Sequence, residues 1–312
     1  MTVAVAEASI GGAPPLSDRE FRLFQGLIHR EAGIYLSDAK RALLIGRLSR
    51  RMRELGMPTF ESYFRHVVEG PDPSERVRMI NAICTHETSF FREPRQFELL
   101  EQTILPAWRA AAEAGERPRR VRAWSAACSS GEEPFSIAMS LQAHLPAPWD
   151  VEVLATDLST SVLDRARSAV WKMERSATIP PAYLKRFMLR GRAGGPHADQ
   201  MKAGPELRAA VRFQQLNLND PSYAVGGPFD MIFCRNVLIY FDQETKIDIF
   251  ERLNQVLEAD GMLLLGAAES VVGITDAFRP CPDRRGLYQP NPARARSNGG
   301  AMAQGLKVVA TR

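Results

Sequence analysis

Residues 229–242 read FDMIFCRNVLIYFD. Met231, Ile232 and Phe233 form a short, uninterrupted apolar run, which predicts a strand buried on both faces. Arg235 and Asn236 follow at once, and Val237-Leu238-Ile239 is apolar again. A core strand that delivers a charge and an amide at its tip needs a sheet whose strand ends face something polar. The flanking sequence supplies such a sheet. RVRAWSAA is followed by EEPFSIAMSLQAHL, VEVLATD by STSVLDRARSAV, and FDMIFCR by QETKIDIFERLNQVLE and then GMLLLGA. Apolar runs alternating with helical stretches predict a largely parallel sheet with helices on both faces. Ligands of such sheets bind at the carboxyl ends of the strands, where Arg235 and Asn236 fall.

Upstream, residues 17–80 read as all-helical. Ser17 is a suitable N-cap before DREFRLFQGLIHREAG, with Gly33 as the stop. A second helix is expected over about 38–55, closed by Gly56 with Pro58 beyond it, and a third over about 59–69. Gly70-Pro71-Asp72-Pro73 then breaks the chain. Residues 172–210, rich in Gly and Pro, interrupt the strand–helix alternation and suggest a small hairpin excursion. The expected organisation is a flexible tail at 1–16, a helical domain at 17–80, an α/β domain at 81–290 and a disordered tail at 291–312.

Composition narrows the class. The 312 residues are 45% hydrophobic and 24% charged, as in globular proteins, and the net charge of +4 does not call for nucleic acid. No run approaches the roughly 18 apolar residues of a membrane span. The start, MTVAVAEASIGGAPPLS, has no basic stretch ahead of its apolar residues and does not read as a signal peptide. The four cysteines, Cys84, Cys128, Cys234 and Cys281, lie far apart, so free thiols in a reducing cytoplasm are expected and a zinc site is not.

The candidate chemistry sits at the strand ends. The turn after the first strand, Ala126 to Pro134, is built of small residues that let a ligand approach the backbone. Glu132 and Glu133 stand where a pyrophosphate would sit in a dinucleotide-binding protein. That suits a neutral or cationic nucleoside; the plainer alternative is an acidic helix start. Asp157 ends the second strand and is placed to accept ribose hydroxyls, with an N-cap as the alternative. Asn217 and Asn236 at other strand ends can read an adenine edge or an amino-acid end, or simply form turns. Upstream, Thr88, Ser89 and Arg92 flank Phe90-Phe91, an apolar pair able to anchor the segment and leave Arg92 at the pocket.

Taken in order, THETSFFRE, WSAACSSGEEPFSIAM, ATDLSTSVLDRARSAVW, FQQLNL, FDMIFCRNVLIYFD and LLLGAAES resemble the motifs of the CheR-type chemotaxis receptor methyltransferases. These are S-adenosylmethionine-dependent protein-glutamate O-methyltransferases, and the resemblance spans about residues 18–290. It implies an α/β fold: a Rossmann-like S-adenosylmethionine-dependent methyltransferase sheet with a small all-α N-terminal domain and a small β-subdomain insertion at about 187–212. In some members that insertion binds a peptide at the receptor's carboxyl terminus. The resemblance further implies that His86, Thr88, Arg92, Glu132, Asp157, Asn217, Leu218, Arg235 and Asn236 line the cofactor pocket. Glu132 would hold the methionine end or a neighbouring polar group, Asp157 the ribose, and Arg92 and Tyr240 would border the methyl group. His86 departs from the family, where many relatives carry Asn, and brings a group whose charge depends on pH.

The second helix is strongly basic. Lys40, Arg47, Arg50 and Arg51 gather beside its apolar face. A solvated surface is the ordinary reading. The resemblance adds another, in which this face docks the acidic methylation region of a chemoreceptor's cytoplasmic domain. A glutamate acceptor has a pKa of about 4.3 and is already ionised at neutral pH, so transfer to it needs alignment and a dry site rather than a general base.

Overall fold

The computed structural model describes residues 14–293. The expected tails, 1–16 and 291–312, lie almost wholly outside those residues. The chain opens with four helices. In α1 (Asp18–Ala32) the Ser17 hydroxyl takes the Glu20 N–H while the Glu20 carboxylate takes the Ser17 N–H, a reciprocal cap. Gly33 ends the helix with φ of 69°, a left-handed conformation suited to glycine. A 3₁₀ turn at Asp38–Lys40 leads into α2 (Arg41–Glu54), followed by α3 (Phe60–Glu69) and α4 (Ser74–Ile83). Phe21, Phe24, Leu44, Leu48, Phe60 and Met79 close one apolar core among them.

The fourth helix, α4, was hidden from the sequence reading by the Gly-Pro break before it. It also buries an acid, Glu75, at 1% exposure. Arg51 of α2 meets that carboxylate with Nε at 2.9 Å and Nη2 at 2.6 Å, and the Tyr63 hydroxyl donates to it at 3.0 Å. A buried carboxylate demands such partners. Arg51 is therefore an internal strut rather than a surface charge.

The second domain begins with α5 (Pro94–Leu99), which passes through a π turn at Leu100–Ile104 into α6 (Leu105–Glu113). Next come β1 (Arg120–Ala126), α7 (Glu132–His144), β2 (Asp150–Asp157) and α8 (Thr160–Ser168). A smaller unit follows: β3 (Val170–Lys172), a 3₁₀ stretch at Met173–Thr178, α9 (Pro181–Phe187), β4 (Met188–Arg190), β5 (Gln200–Ala203) and α10 (Pro205–Ala209). The chain then returns through β6 (Val211–Gln215), β7 (Phe229–Cys234), α11 (Gln243–Gln255), β8 (Leu257–Leu265), β9 (Phe278–Pro280) and β10 (Leu287–Pro290).

Seven strands form the main sheet in the order β6-β2-β1-β7-β8-β10-β9. The first five are mutually parallel, and β10 and β9 are antiparallel additions at one edge. The strand order reverses direction at β1, between β2 and β7, and that switch point opens a crevice at the carboxyl ends. Ser125 pairs with Ala155 on one side and Phe233 on the other, so Ala126, Asp157 and Cys234 reach the same edge. Separate apolar clusters cover the two faces. The fold is thus the Rossmann-like α/β sheet with an all-α N-terminal domain expected from the sequence.

The small antiparallel sheet, in the order β3-β5-β4, begins at Val170, earlier than the expected 187–212. The expected insertion overlaps β6 only at residues 211–212, and Val211–Gln215 pair with β2 in the main sheet. β3 is a three-residue strand, too short to carry a pattern. Among the described residues no helix is long and apolar enough to cross a membrane.

The two domains are joined along a seam beside the crevice. Asn217 Nδ2 donates to the Glu31 carbonyl at 2.7 Å, and His29 Nε2 lies 2.7 Å from Asp242 Oδ2. The Tyr35 N–H donates to the Tyr240 carbonyl at 2.8 Å, beside a bridge between Ile34 and Phe241.

Candidate functional site

A cleft of about 1130 Å³, part of it open to solvent, lies at the switch point, walled on one side by the helical domain. The turn after β1 supplies its floor. Ala127, Ser129 and Gly131 have φ of 70°, 49° and 97°, a tight left-handed turn closed by the Gly131 N–H on the Cys128 carbonyl. At Gly131 a Cβ would come within 3.1 Å of Ala166, so glycine serves both the turn and the packing. The Ser129 N–H donates to Asp157 Oδ2 at 2.8 Å and the Ser159 N–H to Oδ1 at 2.9 Å. These bonds fix the carboxylate at the end of β2 and leave lone pairs facing the cleft. The N-cap alternative is not realised, because the N-cap of α8 is Ser159, whose N–H Asp157 merely accepts.

Burial sets the electrostatics. Asp157 is 8% exposed, and loss of solvent pushes its carboxyl above the usual range, opposed by the Ser159 and Ser129 amides. His86, also on the cleft wall, is pushed below the ordinary histidine value by burial, against the pull of Asp157. His86 Nε2 is buried and has no hydrogen-bond partner among the described residues. A buried carboxylate beside an orphaned ring nitrogen suits a ligand that carries hydroxyl groups. Cys84 lines the cleft as well, its thiol pushed up to about 12 by burial and so unreactive at neutral pH.

Of the paired acids after β1, the one at the cleft is Glu133, not Glu132. Glu132 is 1% exposed, accepts from the Ser130 hydroxyl at 2.7 Å and lies 3.9 Å from Arg175. One step around a helix turns it about 100° from its neighbour, away from the ligand space. The Glu133 carboxylate accepts from Ser125 Oγ at 2.7 Å and from Arg235 Nε at 2.8 Å. Arg235 is itself enclosed, and its Nη1 donates to the Arg92 carbonyl at 2.8 Å and to Gln96 Oε1 at 2.9 Å. The guanidinium that follows β7 therefore braces Glu133 and the 92–96 segment.

Asn236 adopts a left-handed φ of 58°, and Glu269 explains how it is held. The Glu269 carboxylate accepts from the N–H groups of Asn236, Val237, Leu238 and Gly266 at 2.7, 2.9, 2.7 and 2.8 Å. Asn236 Nδ2 reaches Glu93 Oε1 at 3.3 Å. Phe90 and Phe91 anchor the upstream segment as expected. Phe90 packs edge-on against Trp171 and Phe91 against Phe97, while the Phe91 N–H donates to Ser136 Oγ at 3.0 Å. Arg92 then lines the cleft, and its guanidinium donates to the Glu87 carbonyl at 2.9 Å. Thr88, Asn217, Leu218 and Tyr240 also reach the cleft.

Of the residues expected to dock a partner, Lys40 is at the cleft mouth and Arg50 is exposed. Arg47 and Arg51 are not available in that sense. Arg47 Nη1 donates to the carbonyls of Ala82 and Cys84 at 3.1 and 2.8 Å, and Arg51 braces Glu75. The sequence reading missed Glu133 as the cleft acid, Gln96 and Glu269. Only for Glu269 was there a visible cue, its place just after the last parallel strand.

A Rossmann-like sheet with a buried acid at the end of β2, and a cleft walled by a helical domain, defines a protein that binds a nucleoside-containing ligand. Residues 86–287 match the family described as CheR methyltransferase, SAM binding domain, and residues 19–84 match CheR methyltransferase, all-alpha domain. The chain belongs to the CheR methyltransferase family. It is 40% identical to the chemotaxis protein methyltransferase of Salmonella typhimurium over 270 residues, covering 84% of this chain and 88% of that protein. To the chemotaxis protein methyltransferase of Escherichia coli it is 42% identical over 262 residues, covering 82% and 85%. The structure of the glycopeptide N-methyltransferase MtfA with S-adenosyl-L-homocysteine aligns at 20% identity and a TM-score of 0.30, over 58% and 57% of the two chains.

The cofactor of this family is S-adenosylmethionine, and the site fits it. The Asp157 carboxylate and the unpartnered His86 nitrogen suit the ribose, and Glu133 adds negative charge beside a ligand that carries a positive one.

Proposed function

We propose that this protein methylates glutamate carboxylates on the cytoplasmic helices of chemoreceptors, giving methyl esters in sensory adaptation, and that it does so in the cytoplasm. The names of its relatives support the chemotaxis context. The observation that carries the glutamate reading is Arg92. It is a cleft-lining guanidinium that, among the described residues, meets one backbone carbonyl and no carboxylate, so most of its N–H groups are available to an anionic acceptor.

S-adenosylmethionine supplies an electrophilic methyl on a sulfonium. Asp157 and His86 hold the ribose, with Thr88, Asn217 and Leu218 around the rest of the nucleoside. Glu133, rather than the neighbouring Glu132, faces the ligand's ammonium end, and Arg235 keeps that carboxylate oriented. Asn236 sits in a loop that Glu269 pins to the sheet. Arg92 receives the substrate carboxylate, and Tyr240 borders the reacting methyl. The acceptor is ionised near neutrality, so no side chain has to remove a proton. Catalysis then comes from alignment and exclusion of water, and placement alone can lower a barrier by about 7–11 kcal/mol in ideal cases. Val237 and the wall from the helical domain, with Ala32, Ile34 and Leu36, keep the site dry, whereas Ile239 faces solvent.

The test is incubation of the pure protein with methyl-labelled S-adenosylmethionine and receptor-bearing membranes. Label released as volatile methanol in base is the expected outcome. Label that stays bound in base, or moves to RNA or DNA, contradicts the reading. Arg92→Ala is expected to lower kcat by about 100-fold while leaving the affinity for S-adenosylhomocysteine nearly unchanged.

A further inference from the structure

Basic residues crowd the start of α2, and most are already engaged inside the protein. Arg41 reaches the Leu16 carbonyl and Asp18 and lies over the Phe21 ring. Arg47 holds the Ala82 and Cys84 carbonyls, and Arg51 holds Glu75. Lys40 differs. Its ammonium makes no ion pair among the described residues, lines the cleft, and sits over the Tyr240 ring at 5.5 Å from the centroid. The 3₁₀ turn at Asp38–Lys40, closed by the Lys40 N–H on the Ser37 carbonyl at 2.9 Å, fixes its origin on the helical domain.

Three acids line the cleft, Glu87, Glu133 and Asp157, and none forms an ion pair with this ammonium among the described residues. Glu133 is held by Arg235 and Ser125, and Asp157 by two backbone amides. Arg92 and Lys40 are thus two cleft-lining cations without an ion pair among the described residues, one from each domain. Two cations on one cleft offset the cost of bringing an anion into a dry site better than one can. Stacking on the tyrosine ring also pre-orders a flexible stem, so less freedom is lost when the anion arrives.

Resting on the glutamate reading above, we propose that Lys40 is a specificity-determining residue, a second contact for the carboxylate of the incoming substrate glutamate supplied by the helical domain. Through it the N-terminal domain selects the charged acceptor at the reacting centre, beyond any docking at its outer surface. The contact is to the substrate and not to the methyl donor, because Lys40 stands on the Tyr240 side of the cleft, on the helical wall.

Lys40→Met and Lys40→Arg are compared with the unaltered protein in the methanol-release assay. Binding of S-adenosylhomocysteine to each is measured by calorimetry. Lys40→Met is expected to lower kcat/KM for the receptor by about 10- to 30-fold, chiefly through KM. Its dissociation constant for S-adenosylhomocysteine stays within about twofold, and Lys40→Arg recovers most of the loss. The gap between Lys40 and Met narrows as salt is raised. An unchanged kcat/KM in a folded Lys40→Met protein overturns the proposal. So does a parallel loss of S-adenosylhomocysteine affinity, which would assign the ammonium to the donor. If the unaltered protein itself yields no base-volatile label from receptors, the glutamate reading falls, and this inference falls with it.

Discussion

Asp157 and Arg235 occupy like positions, one ending β2 and the other just past the end of β7, and they do opposite things. The Asp157 carboxylate is held by two backbone amides and keeps lone pairs toward the cleft. The Arg235 guanidinium meets Glu133, Gln96 and the Arg92 carbonyl, and its side chain is 1% exposed. A charge at a strand's carboxyl end can therefore serve as ligand contact or as framework. What decides between them is how many partners the protein supplies from within.

The largest expected effect tests the framework side. Arg235→Ala leaves the Glu133 carboxylate enclosed without its guanidinium, and should cost about 3–5 kcal/mol of stability in urea unfolding. A loss below about 1 kcal/mol would mean that Arg235 is no brace. Asp157→Asn tests the ligand side. It keeps an acceptor for one of the two local amides and turns an NH2 toward the other, so stability should fall by about 1–2 kcal/mol, less than in Arg235→Ala, while affinity for S-adenosylhomocysteine drops about 100-fold by calorimetry. Equal losses of stability in both variants would erase the contrast.

Proton competition sharpens the same contrast. Burial holds the Asp157 carboxyl above its usual value, and the carboxylate must be ionised to accept from ribose hydroxyls. Affinity for S-adenosylhomocysteine should therefore fall as pH drops through that raised value, by up to about tenfold per pH unit, and level off above it. His86, held below its usual value, stays neutral until lower pH and adds repulsion toward the sulfonium of the methyl donor only there. The slope should be absent in Asp157→Asn. The smallest effect separates neighbours. Glu133→Gln should weaken S-adenosylhomocysteine binding by about 5- to 20-fold, and Glu132→Gln by no more than about twofold. Reversed values would return Glu132 to the site.

What the sequence made legible was whatever a single segment encodes. The alternation of apolar strands with amphipathic helices, the N-cap at Ser17 and the anchor at Phe90-Phe91 are local patterns, and each has its counterpart in the structure. Partners distant in the chain stayed invisible. Arg51 reads as a surface charge until Glu75, 24 residues on, is seen beneath it. Arg235 reads as a ligand contact until Glu133, 102 residues earlier, takes its Nε. Glu132 and Glu133 cannot be told apart at a helix start, where the apolar period has not yet fixed which side faces in. β3 was too short to signal its pairing, so the small sheet was placed too late.

The seam between the domains has a consequence for synthesis. His29 waits for Asp242, a partner 213 residues further along the chain, and the carbonyl of Glu31 waits for Asn217. On the ribosome the helical bundle emerges complete in its own apolar core but with one flank unmatched. The nucleoside pocket, which that flank helps to wall, comes into being only after the end of β7 has been translated. A messenger cut short before that point would yield a folded bundle with nothing to grip the methyl donor.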